Sequence, residues 1–301
     1  MINLFNINNY TIDTSKFNHI LHGNVVTDFE QAFAEYVGAK YACSANSASS
    51  LLFLAMSQYK NVNVRLPSTI PIVVPNVIVN TENNIVFYDD TSWVGHSYHL
   101  HDNIYDSAQE VTKNQFAQHK DGDILIFSFY PTKPVGSCDG GMVVSNNKNT
   151  IDWFKTMTMN GTTMKADSWQ RKQTKAGYKM HCSSLQAYIG LKNLLKLDHK
   201  QERIDEIKET YNHELGYNNT SRHLYRINVP DNKKFINNMI SKGIQCGIHY
   251  EHCHDKIFYT NHKLTLEQSE QESKTTVSIP FHEKLNAQEI KKVIECTNLK
   301  Y

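Results

Sequence analysis

Six cysteines (Cys43, Cys138, Cys182, Cys246, Cys253, Cys296) are scattered along the chain without a single CxxC pair. In a chain of 301 residues that distribution points to free thiols in a reducing compartment rather than a disulfide scaffold. An excess of charge is also missing. The formal net charge is +1, which removes the electrostatic case for nucleic acid or an anionic membrane as the main partner. The opening residues, 1–9, show no basic region followed by a long apolar run, as a signal peptide would. No apolar segment approaches the length of a membrane span. The expected location is the cytoplasm. Internal repeats and long low-complexity linkers are absent as well. With 40% hydrophobic and 20% charged residues, the chain can build one large domain and a smaller one, each with its own core.

The apolar pattern alternates between short runs and helical spacing. Phe29–Tyr36 carries apolar residues at helical intervals and stops at Gly38. Lys40–Ala45 suits a strand, followed by the polar turn Asn46-Ser47-Ala48-Ser49-Ser50 and a buried helix from Leu51 to Met56. A strand, a small polar turn and a helix make an anion site, because the first helix amides are unpaired and the positive dipole end faces the turn. An ordinary capped helix has the same residues. Val62–Pro67, Ile70–Pro75 and Asn84–Tyr88 suggest strands, and Asn103–Gln109 a further one with Asp106 at its C-terminal end, the edge where open α/β sheets bind ligands. Residues 158–177 suggest a surface loop, and Ser183–Leu197 a long helix continued by a charged stretch to Thr210. The remainder alternates strand and helix: strands at His223–Val229, Ile244–Tyr250 and Thr275–Ile279, and helices at Lys233–Gly243 and Ala287–Glu295. That order suits a small α+β domain. The expected division is 1–198 and 199–301.

One lysine stands out by its setting. Ser128-Phe-Tyr-Pro-Thr-Lys133 lies between the apolar run Ile124–Phe127 and the pair Gly140-Gly141, which leads into Met142–Val144. A lysine presented on the loop between two buried strands is poorly placed for solubility and well placed for chemistry.

Four segments then fall in a single order: Phe29–Gly38 with the Asn46–Leu51 turn; Asp106-Ser-Ala-Gln109; Ser128–Lys133 with Asp139-Gly-Gly141; and Gly177-Tyr-Lys179 running into Leu185-Gln-Ala187. With His249-Tyr250, His254 and Ser278–His282, the set resembles the DegT/StrS-type aminotransferases, which aminate nucleotide-linked keto sugars with pyridoxal phosphate. The resemblance covers nearly the whole chain. It implies a fold-type I α/β architecture, with a mostly parallel sheet in the large domain and a smaller α+β C-terminal domain. It implies that Lys133 holds the cofactor aldehyde as a Schiff base and moves the proton. It casts Asp106 as the carboxylate that keeps the ring nitrogen protonated. Ser47, Ala48, Ser49 and Ser128 would receive the phosphate, and Gln109 would meet the ring. Lys179 of a neighbouring subunit would face the phosphate, and His249 and Tyr250 would contact substrate. The implied partners are a nucleotide sugar, glutamate as amino donor, and a second copy of the chain.

Two departures accompany the match. Pro71 occupies the place of the aromatic residue that stacks on the ring, with Tyr88 and Trp93 nearby as substitutes. Between Asp90 and Asp106 the family carries another helix and strand, where this chain has only residues 91–101 as spacer. A parallel crossover takes a dozen or more residues, so a strand of the sheet is expected to be missing. These departures keep a rival open: a catalytically impaired relative that binds cofactor or sugar as a regulatory partner. A metal reading rests on His96, His99 and His101 and on His249, His252 and His254, both spaced H-x-x-H-x-H. With 15 histidines in the chain such spacings arise by chance, and no metal is expected.

Overall fold

In the computed structural model, which describes residues 1–7, 10–16, 18–163, 168–259 and 264–299, the chain begins with a helix, α1 (Asn24–Val37), closed by Gly38 in the left-handed conformation. Strand β1 (Tyr41–Ala45) leads through the Ser47 cap into α2 (Ala48–Met56). Then follow β2 (Asn63–Pro67), α3 (Val73–Asn80), β3 (Asn84–Tyr88), β4 (Tyr98–His101), β5 (Ile104–Asp106), β6 (Ile124–Ser128) and β7 (Gly141–Ser145). Helix α4 (Lys148–Thr158) precedes α5 (Ser184–Leu194) and α6 (Leu197–Leu215). The last third holds β8 (Tyr225–Asn228), α7 (Asn232–Ser241), α8 (Glu267–Thr275), β9 (Thr276–Ile279) and α9 (Ala287–Asn298).

The central sheet has the order β1-β7-β6-β5-β4. Strands β5 and β6 are parallel, while β7 runs against both β1 and β6. The sheet is therefore mixed, with β1, β5 and β6 sharing one direction. A separate parallel pair, β2-β3, lies with β2 beside β4. Strands β6 and β7 are buried along their whole length, which is why both read as continuous apolar runs.

The missing strand needs correcting. Strand β4 occupies the position beside β5, and it runs antiparallel to it, with His101 opposite Ile104. Two residues, Asp102 and Asn103, make the turn, and Asp102 takes the positive φ of 49° that such a turn demands. A parallel strand would need a long crossover, whereas an antiparallel one needs only a tight hairpin. The short spacer thus fills the sheet in reverse.

Other expectations shift for local reasons. Ile70–Pro75 is not a strand; its second half starts α3. Pro75 sits in the first turn of that helix, where an amide hydrogen has no acceptor anyway, and the β-branched run masked the helix. The single long helix after Ser183 is two, α5 and α6, parted at Leu195 and Lys196. Ile244–Tyr250 makes only isolated bridges, Ile244 to Ile2 and Gly247 to Ser278. Helix α8 was hidden by its polar composition. In the expected loop 158–177, Thr162 bridges to Gln173 and Met159 to Lys179; residues 164–167 lie outside the described residues.

Three apolar cores result. One lies on each face of the central sheet. The third joins α6, α7, β8, β9 and α9, and takes in Ile2 from the other end of the chain.

Candidate active site

Loop 129–140 presents Lys133. Short backbone bonds pin it: Lys133 N–H to Tyr130 at 2.8 Å, Ser137 N–H to Phe129 at 2.8 Å, and Phe129 N–H to Gly140 at 2.9 Å. The Lys200 ammonium donates to the Pro134 carbonyl at 2.9 Å. The lysine is held on a fixed loop rather than a flexible one.

Its side chain enters a cleft of about 390 Å³ lined also by Ser47, Ala48, Ser49, Asp106, Gln109 and Ser128. His249 and Tyr250 close the same cleft from the C-terminal third. Nine of the ten residues singled out in the sequence therefore meet; Lys179 is exposed and lies outside the cleft of its own chain. Burial and the Asp106 charge oppose one another on Lys133. Burial wins and brings the amine down to about 8. Burial likewise raises the Asp106 carboxyl, against the Ala108 amide, the Tyr98 hydroxyl and the Lys133 charge, all of which favour the anion.

A depressed amine carries a stability signature. Its proton is bound more weakly in the folded chain than in the unfolded one, so unfolding takes up a proton between pH 8 and 10.5. The stability of the cofactor-free protein should rise through that window, by about 3 kcal/mol from this one group. Denaturant titrations at both ends of the window, on the wild type and on Lys133→Met, measure it. A wild-type rise no larger than that of the variant would contradict a desolvated amine.

The start of α2 is arranged for an anion. The Ser47 hydroxyl accepts the Ser50 amide at 3.2 Å, which leaves the Ala48 and Ser49 amides, first-turn donors without helical acceptors, at the cleft wall. Strand β7 passes so close that a Cβ on Gly141 would fall 2.5 Å from the Ala48 nitrogen. Ser128 Oγ accepts the Tyr130 amide at 3.3 Å and keeps its own proton to donate. The Gln109 carbonyl oxygen is occupied by the Gly95 amide at 3.0 Å, and its amide nitrogen has no partner among the described residues.

Several lining residues escaped sequence reasoning. His223 Nε2 lies 3.4 Å from Lys133 Nζ, and burial with the lysine charge holds it far below the usual imidazole range. Phe5 stacks on His223 with ring centroids 5.9 Å apart and meets His249 edge-on at 5.7 Å. His249, brought down to about 4 by burial, contacts Ser278 Oγ at 3.0 Å through Nδ1. Nothing local in the sequence marks Phe5 or His223, since only the fold brings them near Lys133. Of the two aromatic substitutes, Trp93 lines the cleft with Pro71, while Tyr88 packs under Arg65 at 5.1 Å instead. Trp93 lies parallel to Tyr250, centroids 6.2 Å apart, and its buried indole nitrogen has no hydrogen-bond partner among the described residues.

The six histidines of the metal reading have other partners, and the His252 and His254 rings also lie 4.8 Å apart. His96 faces Glu110 and Thr220, His99 the Asp102 carbonyl, and His101 the Tyr59 ring. His252 pairs with Asp255 and Ser273, and His254 with Ser68 and Glu270.

An amine kept near neutrality beside a buried carboxylate, with a helix start for a phosphate, is the equipment of an enzyme that carries an aldehyde cofactor on a lysine. The residues suit pyridoxal phosphate: the Ala48 and Ser49 amides and the Ser128 hydroxyl could donate to its phosphate, Asp106 could accept from its protonated ring nitrogen, and Lys133 could hold its aldehyde. The model of the DegT/DnrJ/EryC1/StrS aminotransferase family matches residues 5–94 and 104–298. The chain belongs to this family and is a pyridoxal-phosphate-dependent aminotransferase. It is 27% identical to a UDP-4-amino-4,6-dideoxy-N-acetyl-beta-L-altrosamine transaminase of Campylobacter jejuni, over 89% of this chain and 88% of that protein. Among solved structures it is similar to the aminotransferase TlmJ of Streptoalloteichus hindustanus, with a TM-score of 0.84 and 18% identity over 99% and 98% of the two chains. It is also similar to Helicobacter pylori PseC, an aminotransferase of pseudoaminic acid biosynthesis, with a TM-score of 0.79 and 17% identity over 97% of each chain.

Proposed function

We propose that this enzyme aminates a ketone on a nucleotide-linked deoxysugar, with glutamate as amino donor and Lys133 as the residue that binds the cofactor and moves the proton. The observation that carries this reading is Lys133 opposite Asp106 in one cleft whose phosphate end is the start of α2. The cofactor supplies an electron sink for the pair left when an amino acid loses its α-proton. Asp106 keeps the ring nitrogen protonated, which that sink requires. Lys133 Nζ, at about 8, is near the pKa at which an amine both takes and returns a proton at neutral pH; it removes the α-proton of glutamate and, in the second half-reaction, returns one to sugar carbon. Gln109 and Trp93 confine the ring, and His249 and Tyr250 stand at the sugar side.

The large domain, 1–198, carries the cofactor contacts, and the smaller one, 199–301, contributes His223, His249 and Tyr250. The working unit is a homodimer. Lys179, exposed and outside its own cleft, then donates to the phosphate in the partner's cleft as a point charge. The enzyme works in the cytoplasm, where its cysteines, all unpaired, stay reduced. Among the described residues no helix is long and apolar enough to cross a membrane. The binding-only alternative loses its main ground, because β4 fills the sheet.

The test is the visible absorption of the purified protein loaded with pyridoxal phosphate. Glutamate should bleach the band with release of 2-oxoglutarate, and a UDP-linked 4-keto-6-deoxysugar should restore it. A loaded protein whose band is unchanged by glutamate would end the transaminase reading, and a monomer by sedimentation would end the shared site.

A further inference from the structure

The family model skips residues 95–103, and those residues are the ones that build β4. They do more than complete the sheet. The stretch Gly95–Tyr98 lies along Asp106–Glu110 and is tied to it repeatedly. The Tyr98 hydroxyl donates to Asp106 Oδ2 at 2.9 Å. The hydroxyls of Ser97 and Ser107 are 2.6 Å apart. The Gly95 amide donates to Gln109 Oε1 at 3.0 Å. The Ser97 amide donates to Glu110 Oε2 at 2.8 Å. Two of these bonds end on side chains that line the cleft, Asp106 and Gln109.

The clasp is specific in its chemistry. Asp106 Oδ1 accepts the Ala108 amide at 2.9 Å, so each carboxylate oxygen has one fixed donor and one lone pair left over. That fixes the plane of the carboxylate. Gly95 has φ of 95°, and a Cβ there would run into the Ser221 side chain; only glycine lets its amide turn to Gln109. Trp93, just ahead of the skipped residues, packs on Tyr98 with centroids 4.7 Å apart and lines the cleft.

We propose that Tyr98 is a positioning residue for the cofactor: its hydroxyl orients Asp106 toward the ring nitrogen and holds it as the anion, so that the stretch outside the family pattern sets the protonation of the ring. This rests on Asp106 being the ring-nitrogen partner. Burial and the Asp106 charge keep the Tyr98 phenol above its ordinary range, so it stays a donor throughout the working pH range. The charged and titratable groups that face Asp106 are Lys133, Tyr98 and Tyr250, and Tyr88 also faces Tyr98.

Tyr98→Phe tests it. The variant should still take pyridoxal phosphate onto Lys133 but bind it roughly tenfold more weakly, as loss of a bond to a charged group implies. The pH at which the visible band of the loaded protein titrates should move, while in Ser97→Ala, which leaves Tyr98 in place, it should not. Unchanged affinity and an unchanged pH profile in Tyr98→Phe would overturn the proposal. Should Tyr98→Phe not fold, 3-fluorotyrosine in place of Tyr98 decides, because it keeps the ring's packing and makes its hydroxyl a stronger donor to Asp106: the titration of the visible band should shift, and an unshifted titration would overturn the proposal. If the wild type itself gives no visible band with the cofactor, the functional reading above has failed, not the role of Tyr98 alone.

Discussion

Replacing Lys133 with alanine should lower transamination by at least about 10⁴-fold, the joint loss, on the proposed mechanism, of covalent anchoring and of the amine that moves the proton. The protein should stay folded. The removed side chain is a desolvated cation whose amine already lies well below its ordinary value, so its loss relieves the fold of an unfavourable charge. Loop 129–140 is fixed by backbone bonds that do not involve the side chain. Turnover of glutamate to 2-oxoglutarate, followed with the absorption spectrum of the loaded protein, measures the effect. His223 is the nearest other base, 3.4 Å from the amine, and it cannot take over, because an imidazole gives no lasting covalent link to the cofactor. A Lys133→Ala protein that keeps a tenth of the wild-type rate would remove this lysine from the reaction.

The second large effect belongs to Asp106. Asp106→Asn keeps the shape and can still accept the Ala108 amide through its one oxygen, while its NH2 group takes the place of the oxygen that accepts the Tyr98 hydroxyl and can donate to that hydroxyl instead. What it loses is the charge. A buried cationic ring nitrogen without its anion is worth about 3–5 kcal/mol, or roughly 10²–10⁴ in rate. The loss should fall on kcat, with cofactor still bound through the phosphate end. Steady-state kinetics at saturating cofactor separate the two. A kcat within tenfold of wild type would show that ring protonation does not depend on Asp106. In the apo variant the Lys133 amine also loses the Asp106 charge that raises it, and should fall further below its ordinary range.

Much of this site could be read in the chain because its residues lie in short local patterns. A capped turn before an apolar helix, an acid at a strand end, and a lysine between two buried strands each mark themselves within about ten residues. Their convergence follows once β1, β5, β6 and β7 are accepted as neighbours. What escaped depends on contacts between distant segments. His223 and Phe5 reach Lys133 only through tertiary packing. The reversal of β4 was invisible for a different reason: counting residues shows that a parallel crossover will not fit, but not that the same residues suffice for a hairpin. Ile70–Pro75 shows how a β-branched run with prolines imitates a strand when its second half is the first turn of a helix. Helix α8 was missed because its buried residues, Ser269 and Ser273, are small and polar, so no apolar stripe betrays it.

Residues 2–5 have a consequence for how the molecule is made. Ile2 bonds to Gly243 and Gln245, and the Leu4 carbonyl accepts from Phe281; Ile2 belongs to the core formed by α6, α7, β8, β9 and α9, and Phe5 then reaches the His223 and His249 rings. The bonds of Ile2 and Leu4 join residues at least 241 positions apart, so their loop-closure cost is high and they form late in folding. Until they form, Ile2 and Phe5 have no seat, and the cleft lacks the wall that Phe5 builds with His223 and His249.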